Sequence, residues 1–356
     1  MLPEHTRESY ALGIKQGAGW GECDVAVTKD LQLVCRHSQC DLHHTTDVLR
    51  RPELAAKCSV PFRPYDPASG RPAEARCCTY DFTVAEFKTL CGTMDGEVDP
   101  RAARPEDFYA GAPRWRDRHY GLQCGEVMTH AESAAMFRAA GVNAVPELKT
   151  LVDDDVPDYD LRAFLASRGR STTDLADQLQ GELAAAGYVH GKGDAGFAAV
   201  GNKAAMQTFD WQIARHWANS TRTPVVYLFK KLEDNPTRGA SDQRLAEAAH
   251  LGIEYVAPGL WDLVVSEGNR MVASERAAYI KGLGLGLMPW TLERSGCADG
   301  RPGPCGRFYR STEGRSAFEY ADILRVMDVL LNDIRVDAVF SDFPLTSAAF
   351  ANCLSR

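Results

Sequence analysis

The chain has 356 residues, 45% of them hydrophobic, and a formal net charge of −8. That length exceeds a minimal domain and suits one α/β barrel carrying an insertion, while the acidic balance excludes the basic face that nucleic acid requires. No run approaches the ~18 apolar residues of a membrane span, so neither a membrane span nor a nucleic-acid partner is expected.

The chain opens on polar Pro3, Glu4, His5 and Thr6, so these first residues are not expected to act as a secretory leader, which says nothing about targeting if the start is truncated. A helix is expected over 6–16 and a strand over 20–28. Glu22 and Asp24 lie two apart on that strand, so they share one face. Cys23 and Val25 then point the other way, where Cys23 and Cys35 read as small buried hydrophobes. Two carboxylates on an inward face repel unless a cation sits between them; the bland alternative is a pair of solvated surface acids. A two-residue turn at Asp30 and Leu31 would pair Lys29 with Gln32, Val27 with Val34 and Asp24 with His37. Opposed Cβ atoms are ~5 Å apart, so His37 would stand beside the acids, suited to general acid/base work. Leu31 is unfavourable there, where Gly is the usual residue.

From residue 44 to 130 the pattern becomes irregular. The stretch is rich in Pro, Arg, Gly and Cys, with Tyr109, Trp115 and Tyr120 near its centre. It reads as an insertion after the second strand of a single domain spanning 1–356. Five of the 11 cysteines fall between Cys58 and Cys124, and Cys297 and Cys305 flank a Gly/Pro-rich loop within 295–315. This distribution favours disulfides and an oxidising compartment, with at least one thiol left over. Reduced thiols in a cytosol are the competing expectation.

Beyond the insertion, strands are expected over 143–150, 205–209, 224–229, 253–258, 286–292 and 337–342. Helices are expected over 173–186, 210–218, 241–251, 274–283 and 316–332. Glu147 and Lys149 share a face of the first of these strands. With Glu22 and Asp24, Glu147 would complete an all-oxygen site suited to Mg²⁺ or Ca²⁺. Lys149 would offer a fixed positive charge to a phosphate oxygen. Trp290 would present an apolar wall to a ligand, or simply pack the interior. His190, among glycines, is a candidate substrate contact. The count is seven strands with a helix first, which fits a TIM (β/α)₈ barrel lacking its first strand; an open seven-stranded sheet has the same count.

At these residues the chain resembles the glycerophosphodiester phosphodiesterase family. Pro3-Glu4-His5-Thr6 resembles the family's Pro-Glu-Asn-Thr, with His5 in place of Asn. Glu22-Cys23-Asp24-Val25 and Thr28-Lys29-Asp30 are similar to its Glu-x-Asp-Val and Thr-Lys-Asp-Gly. Val34-Cys35-Arg36-His37-Ser38 looks like its Val-x-x-His-Asp, and Glu147-Leu148-Lys149 like Glu-Ile-Lys. Gln207-Thr208-Phe209-Asp210, Pro289-Trp290-Thr291 and Ser341-Asp342-Phe343-Pro344 follow in family order.

The resemblance implies a divalent cation, Ca²⁺ or Mg²⁺, held by Glu22, Asp24 and Glu147, with His37 one of two catalytic histidines. The other histidine belongs to a His-Arg-Gly motif placed before Pro-Glu-Asn-Thr, and residues 1–356 do not contain it, so little turnover is expected of them. The implied substrate is a small glycerophosphodiester such as glycerophosphocholine, cleaved to sn-glycerol 3-phosphate and an alcohol. In the family's scheme the substrate's own glycerol hydroxyl attacks, and water opens the resulting cyclic phosphate. The insertion resembles that of larger, often periplasmic or secreted, members. Two alternatives are a related barrel phospholipase D acting on sphingomyelin or lysophospholipids, and an inactive metal-binding barrel.

Overall fold

A computed structural model describes residues 2–111, 124–153, 156–188, 201–229, 238–268, 270–292 and 320–354. Trp115, Tyr120, His190, Cys297 and Cys305 lie outside the described residues.

The first element is the Arg7–Lys15 helix. Thr6 caps it: its side chain accepts from the Ser9 backbone N–H, and the Ser9 side chain accepts in return from the Thr6 N–H. Among the described residues, seven strands then form one sheet. Their spatial order is Gly286–Leu287, Tyr255–Pro258, Val225–Phe229, Met206–Thr208, Glu147–Leu148, Asp24–Val27 and Leu33–Cys35. All pair in parallel except the last, which returns antiparallel to Asp24–Val27. Trp20–Gly21 pairs in parallel with Asn143–Ala144 and extends the same two chains downward. Amphipathic helices alternate with the parallel strands, the chain order of a βα-barrel.

Side chains alternate across the strands as the pleat requires. One face contributes Val145, Ala205, Val226, Leu228, Ala257 and Met288 to an inner cluster. The other face carries Val25, Leu148, Met206, Tyr227 and Val256 into the layer between strands and helices, where Trp217 and Leu179 are fully buried. Glu147 follows the parity of Val145, and Gln207 that of Ala205, which sets both polar side chains at the end of the inner face.

The expected strand over 337–342 is not a strand, though it runs along the 286–292 segment. Asp337 N–H donates to Leu287 O at 2.8 Å and Phe340 N–H to Pro289 O at 3.0 Å. The Asp337 carboxylate itself accepts the Leu287 N–H at 2.9 Å, replacing the backbone carbonyl that a regular ladder would use. Between this segment and the Trp20–Asp24 stretch lies a cavity of about 580 Å³, bordered by Trp20, Gly21, Val339, Phe340 and Phe343.

The hairpin register also differs from expectation. Val25 faces Cys35, Ala26 faces Val34 and Val27 faces Leu33. Thr28 N–H donates to Gln32 O, which closes a three-residue loop with Leu31 at φ 63°. A loop of this length needs a left-handed residue at its end, and Leu31 takes that position. Asp24 is therefore opposite Arg36, one residue short of His37. The reading of Cys23 and Cys35 as separate hydrophobes is likewise corrected: their Cα atoms are 5.3 Å apart and they form a disulfide.

The described residues between 44 and 130 fold as short helices and two-stranded pairs around their own apolar cluster. Phe82, Phe87 and Phe108 pack there against Ala26 and Val34 of the hairpin. Disulfides Cys40–Cys78, Cys58–Cys77 and Cys91–Cys124 tie them together, and Cys353 is free and exposed. Among the described residues no helix is long and apolar enough to cross a membrane.

Candidate active site

Glu147 stands in register with Asp24 on one neighbouring strand and with Gln207 on the other. Three polar side chains are thus placed abreast on adjacent parallel strands. Glu22, two residues before Asp24, joins them. One carboxylate oxygen from each of Glu22, Asp24 and Glu147 lies within 4.8 Å of the others.

Lys149, two residues past Glu147, reaches back over the cluster. Its Nζ is 2.7 Å from Glu147 Oε1 and 3.4 Å from Asp24 Oδ2. Gln207 Nε2 donates to Glu22 Oε1 at 2.6 Å and to Val145 O at 2.9 Å. His37 Nε2 lies 4.0 Å from Asp24 Oδ2, and its Nδ1 lies 3.9 Å from Glu4 Oε1. The one-residue change in register thus still leaves the imidazole beside the acids, because the chain past Cys35 turns across the strand ends.

The charges decide how this cluster behaves. Burial raises the Glu22 pKa well above the usual carboxylate value, and the Asp24 and Glu147 charges push the same way; Lys149 and Gln207 only partly offset them. Burial also opposes ionisation of Asp24, but Lys149, the His5 hydrogen bond and His37 outweigh it, and its pKa falls. For Lys149 burial opposes the charge, yet Asp24 and Glu147 hold it protonated, its pKa raised. Three acids against one ammonium leave excess negative charge in a partly closed site. Asp24 Oδ1 is buried without a hydrogen-bond partner. Both observations, with an all-oxygen donor set, fit a hard divalent cation.

Two residues that sequence reasoning did not assign to the site are part of it. His5, buried, places Nε2 3.2 Å from Asp24 Oδ2 and Nδ1 2.9 Å from the Tyr10 hydroxyl. Its position in the Pro-Glu-x-Thr run was the available signal. Gln207 lay in a quoted motif, but only the strand register shows that it meets Glu22. The buried Arg36 guanidinium donates to the carbonyls of Cys35, Thr45 and His5, joining the hairpin, the insertion and the N-terminal segment around the acids. Asp210, by contrast, caps the Trp211–Ser220 helix and accepts from Thr150 Oγ1 at 2.9 Å. Trp290 lies in the inner cluster, edge-on to Phe209 and Trp261, with its indole N–H on Ala257 O.

Comparison with known proteins identifies the family and the fold. A relative from Arthroderma benhamiae, described only as an extracellular protein, is 28% identical over 269 residues, 74% of this chain and 100% of its own. A provisionally assigned glycerophosphoryl diester phosphodiesterase of Silicibacter pomeroyi superposes with a TM-score of 0.59 at 18% identity, covering 99% of this chain and 90% of that one. An Oleispira antarctica phosphodiesterase, solved with the product sn-glycerol-3-phosphate, superposes at 0.53 with 15% identity, covering 99% and 92%. The model of the glycerophosphoryl diester phosphodiesterase family matches residues 1–346. The chain belongs to the glycerophosphoryl diester phosphodiesterase family and is, in class, a phosphoric diester hydrolase.

Proposed function

We propose that the chain hydrolyses glycerophosphodiesters to sn-glycerol 3-phosphate and an alcohol at a divalent cation held by Glu22, Asp24 and Glu147. The observation that carries this reading is the approach of their three carboxylates to within 4.8 Å, beside Lys149 and His37. A Ca²⁺ or Mg²⁺ ion bound there would neutralise charge on the phosphoryl oxygens. Lys149 supplies a second, fixed cation to the same phosphoryl group. His37, with one ring nitrogen toward Asp24 and the other toward Glu4, transfers the proton at one oxygen of the scissile ester. Trp290, with Phe209, walls the mouth against which the glycerol or headgroup rests. The product bound by the Oleispira antarctica phosphodiesterase is the one this reading requires.

We further infer that the barrel has room for one more strand between the Trp20–Asp24 stretch and residues 337–340, where the cavity of about 580 Å³ lies. The segment 44–130 reads as an insertion within the one barrel domain, since Phe82 and Phe87 share a core with the hairpin. Four disulfides and an extracellular relative favour a secreted or periplasmic setting.

The test is release of sn-glycerol 3-phosphate from glycerophosphocholine, followed with a coupled dehydrogenase. Release with Ca²⁺ or Mg²⁺ is expected to be slow, in line with the little turnover anticipated for residues 1–356 without the second histidine motif, and should vanish with chelator and in Glu147→Gln. Release that survives full chelation, or release of phosphocholine and glycerol in place of choline and glycerol 3-phosphate, would overturn the reading.

A further inference from the structure

His5 departs from the family's Asn, and its surroundings give it a defined job. Thr6 begins the capped helix and Arg36 Nη2 donates to the His5 carbonyl at 3.3 Å, so the backbone is held on both sides. Held this way, His5 adopts φ 55°, a left-handed conformation that histidine and asparagine tolerate better than most residues. Its ring bridges two partners. Nε2 faces Asp24 Oδ2 at 3.2 Å and Nδ1 faces the Tyr10 hydroxyl at 2.9 Å.

A carboxylate only accepts hydrogen bonds, so Nε2 carries the proton toward Asp24. Nδ1 is then the acceptor, and Tyr10 O–H donates to it. The Tyr10 ring is itself fixed edge-on against Phe137, 4.9 Å between centroids. In the neutral ring Tyr10 therefore favours the tautomer with its proton on Nε2, the nitrogen that the backbone placement of His5 aims at Asp24 Oδ2. Oδ2 meets His5 and Lys149, while Oδ1 is buried and without a hydrogen-bond partner.

We propose that His5, backed by Tyr10, is a positioning residue that clamps Asp24 Oδ2 and so presents Oδ1 as the ligand atom of the cation site. The inference rests on the metal-site reading above, and it adds a pair of residues which that reading does not need. Such partners of ligand side chains fix orientation and typically change metal affinity by about 10–100-fold.

Calorimetric titration of the full chain with Ca²⁺ and with Mg²⁺ tests it. His5→Ala should weaken binding by about tenfold or more. His5→Gln, whose amide N–H can reach Asp24 from the same place, should recover most of that loss. Tyr10→Phe keeps the imidazole but frees its tautomer, and should weaken binding by a smaller factor. A merely structural role would lower the unfolding temperature and leave the dissociation constant unchanged. Unchanged affinity in His5→Ala, or in Tyr10→Phe should His5→Ala not fold, would overturn the proposal. If the unaltered protein binds neither ion, the metal site itself is wrong and this inference falls with it; binding that ignores both substitutions sinks the inference alone.

Discussion

Glu22 is the member of the carboxylate cluster under most strain. Burial, Asp24 and Glu147 all raise its pKa, so its charge works against the folded chain when no cation is bound. Glu22→Gln should therefore raise the unfolding temperature of chelator-treated protein near neutral pH. The same change should weaken Ca²⁺ or Mg²⁺ binding by at least about tenfold, since affinity at such sites follows ligand charge. Differential scanning calorimetry with and without the ion reads both, and a variant less stable than the parent in chelator would contradict the account. A second residue-scale prediction concerns His44, whose Nδ1 is 3.3 Å from Asp95 Oδ1. Burial opposes its charge, but the nearby Asp95 and Asp41 carboxylates outweigh it and raise its pKa above the ordinary 6.5. A raised imidazole contributes stability fully below that value and loses it as pH rises through the folded value. Unfolding monitored from pH 6 upward should show this loss in the parent protein and not in Asp95→Asn. Burial holds neighbouring His43 at about 3, so it remains neutral throughout that range.

At the level of the element, the Trp20–Val27 chain places both early acids, and its packing explains why a glycine, Gly21, precedes them. A Cβ on Gly21 would meet the Phe137 ring at 2.7 Å, closer than side chains tolerate. Gly21→Ala should then destabilise the protein by ~1–3 kcal/mol through overpacking, with Glu22 displaced next to it. Gly19, two residues earlier, has nothing within 4 Å of its Cβ position, so Gly19→Ala should be neutral or gain ~0.4–1 kcal/mol. Urea unfolding of the two variants compares them directly, and equal effects would argue against the packing explanation. The hairpin that follows shows how far an element can be read in advance. Its first strand and that strand's face were legible from the alternation of Cys23, Val25 and Val27, whereas Val34 lies on the opposite face, across from Ala26. The hairpin register was not legible, because Leu31 carries no sign of the left-handed conformation it adopts.

At the scale of the whole molecule, the barrel and the segment 44–130 are joined by covalent and apolar contacts together. Cys40, just past the hairpin, is bonded to Cys78, and Ala26 and Val34 share the core of Phe82, Phe87 and Phe108. Replacing Cys40 and Cys78 together by Ser should lower stability by ~2–5 kcal/mol, the usual effect of removing a native disulfide. Limited proteolysis should then cut first within 44–111. Resistance equal to that of the parent protein would mean that the apolar core alone holds this region. His44 and Asp95 lie in the same region, so its loosening should also remove the pH dependence described above.

The sequence by itself determined what alternation and residue chemistry can carry: the strand–helix succession, the inward parity of Glu22, Asp24 and Glu147, and the disulfide-rich character of the insertion. These depend only on periods of two and 3.6 residues and on which side chains resist burial. Tertiary structure decided what depends on register and on distant contacts. Whether Asp24 faces Arg36 or His37 turns on one residue of loop. The Cys23–Cys35 bond follows from that register. Gln207 meets Glu22 across 185 positions of chain, and His5 meets Asp24 only because Arg36 and a helix cap bend the N-terminal segment onto the strand ends. No local pattern encodes such meetings, because the energy that fixes them is released only when the elements pack.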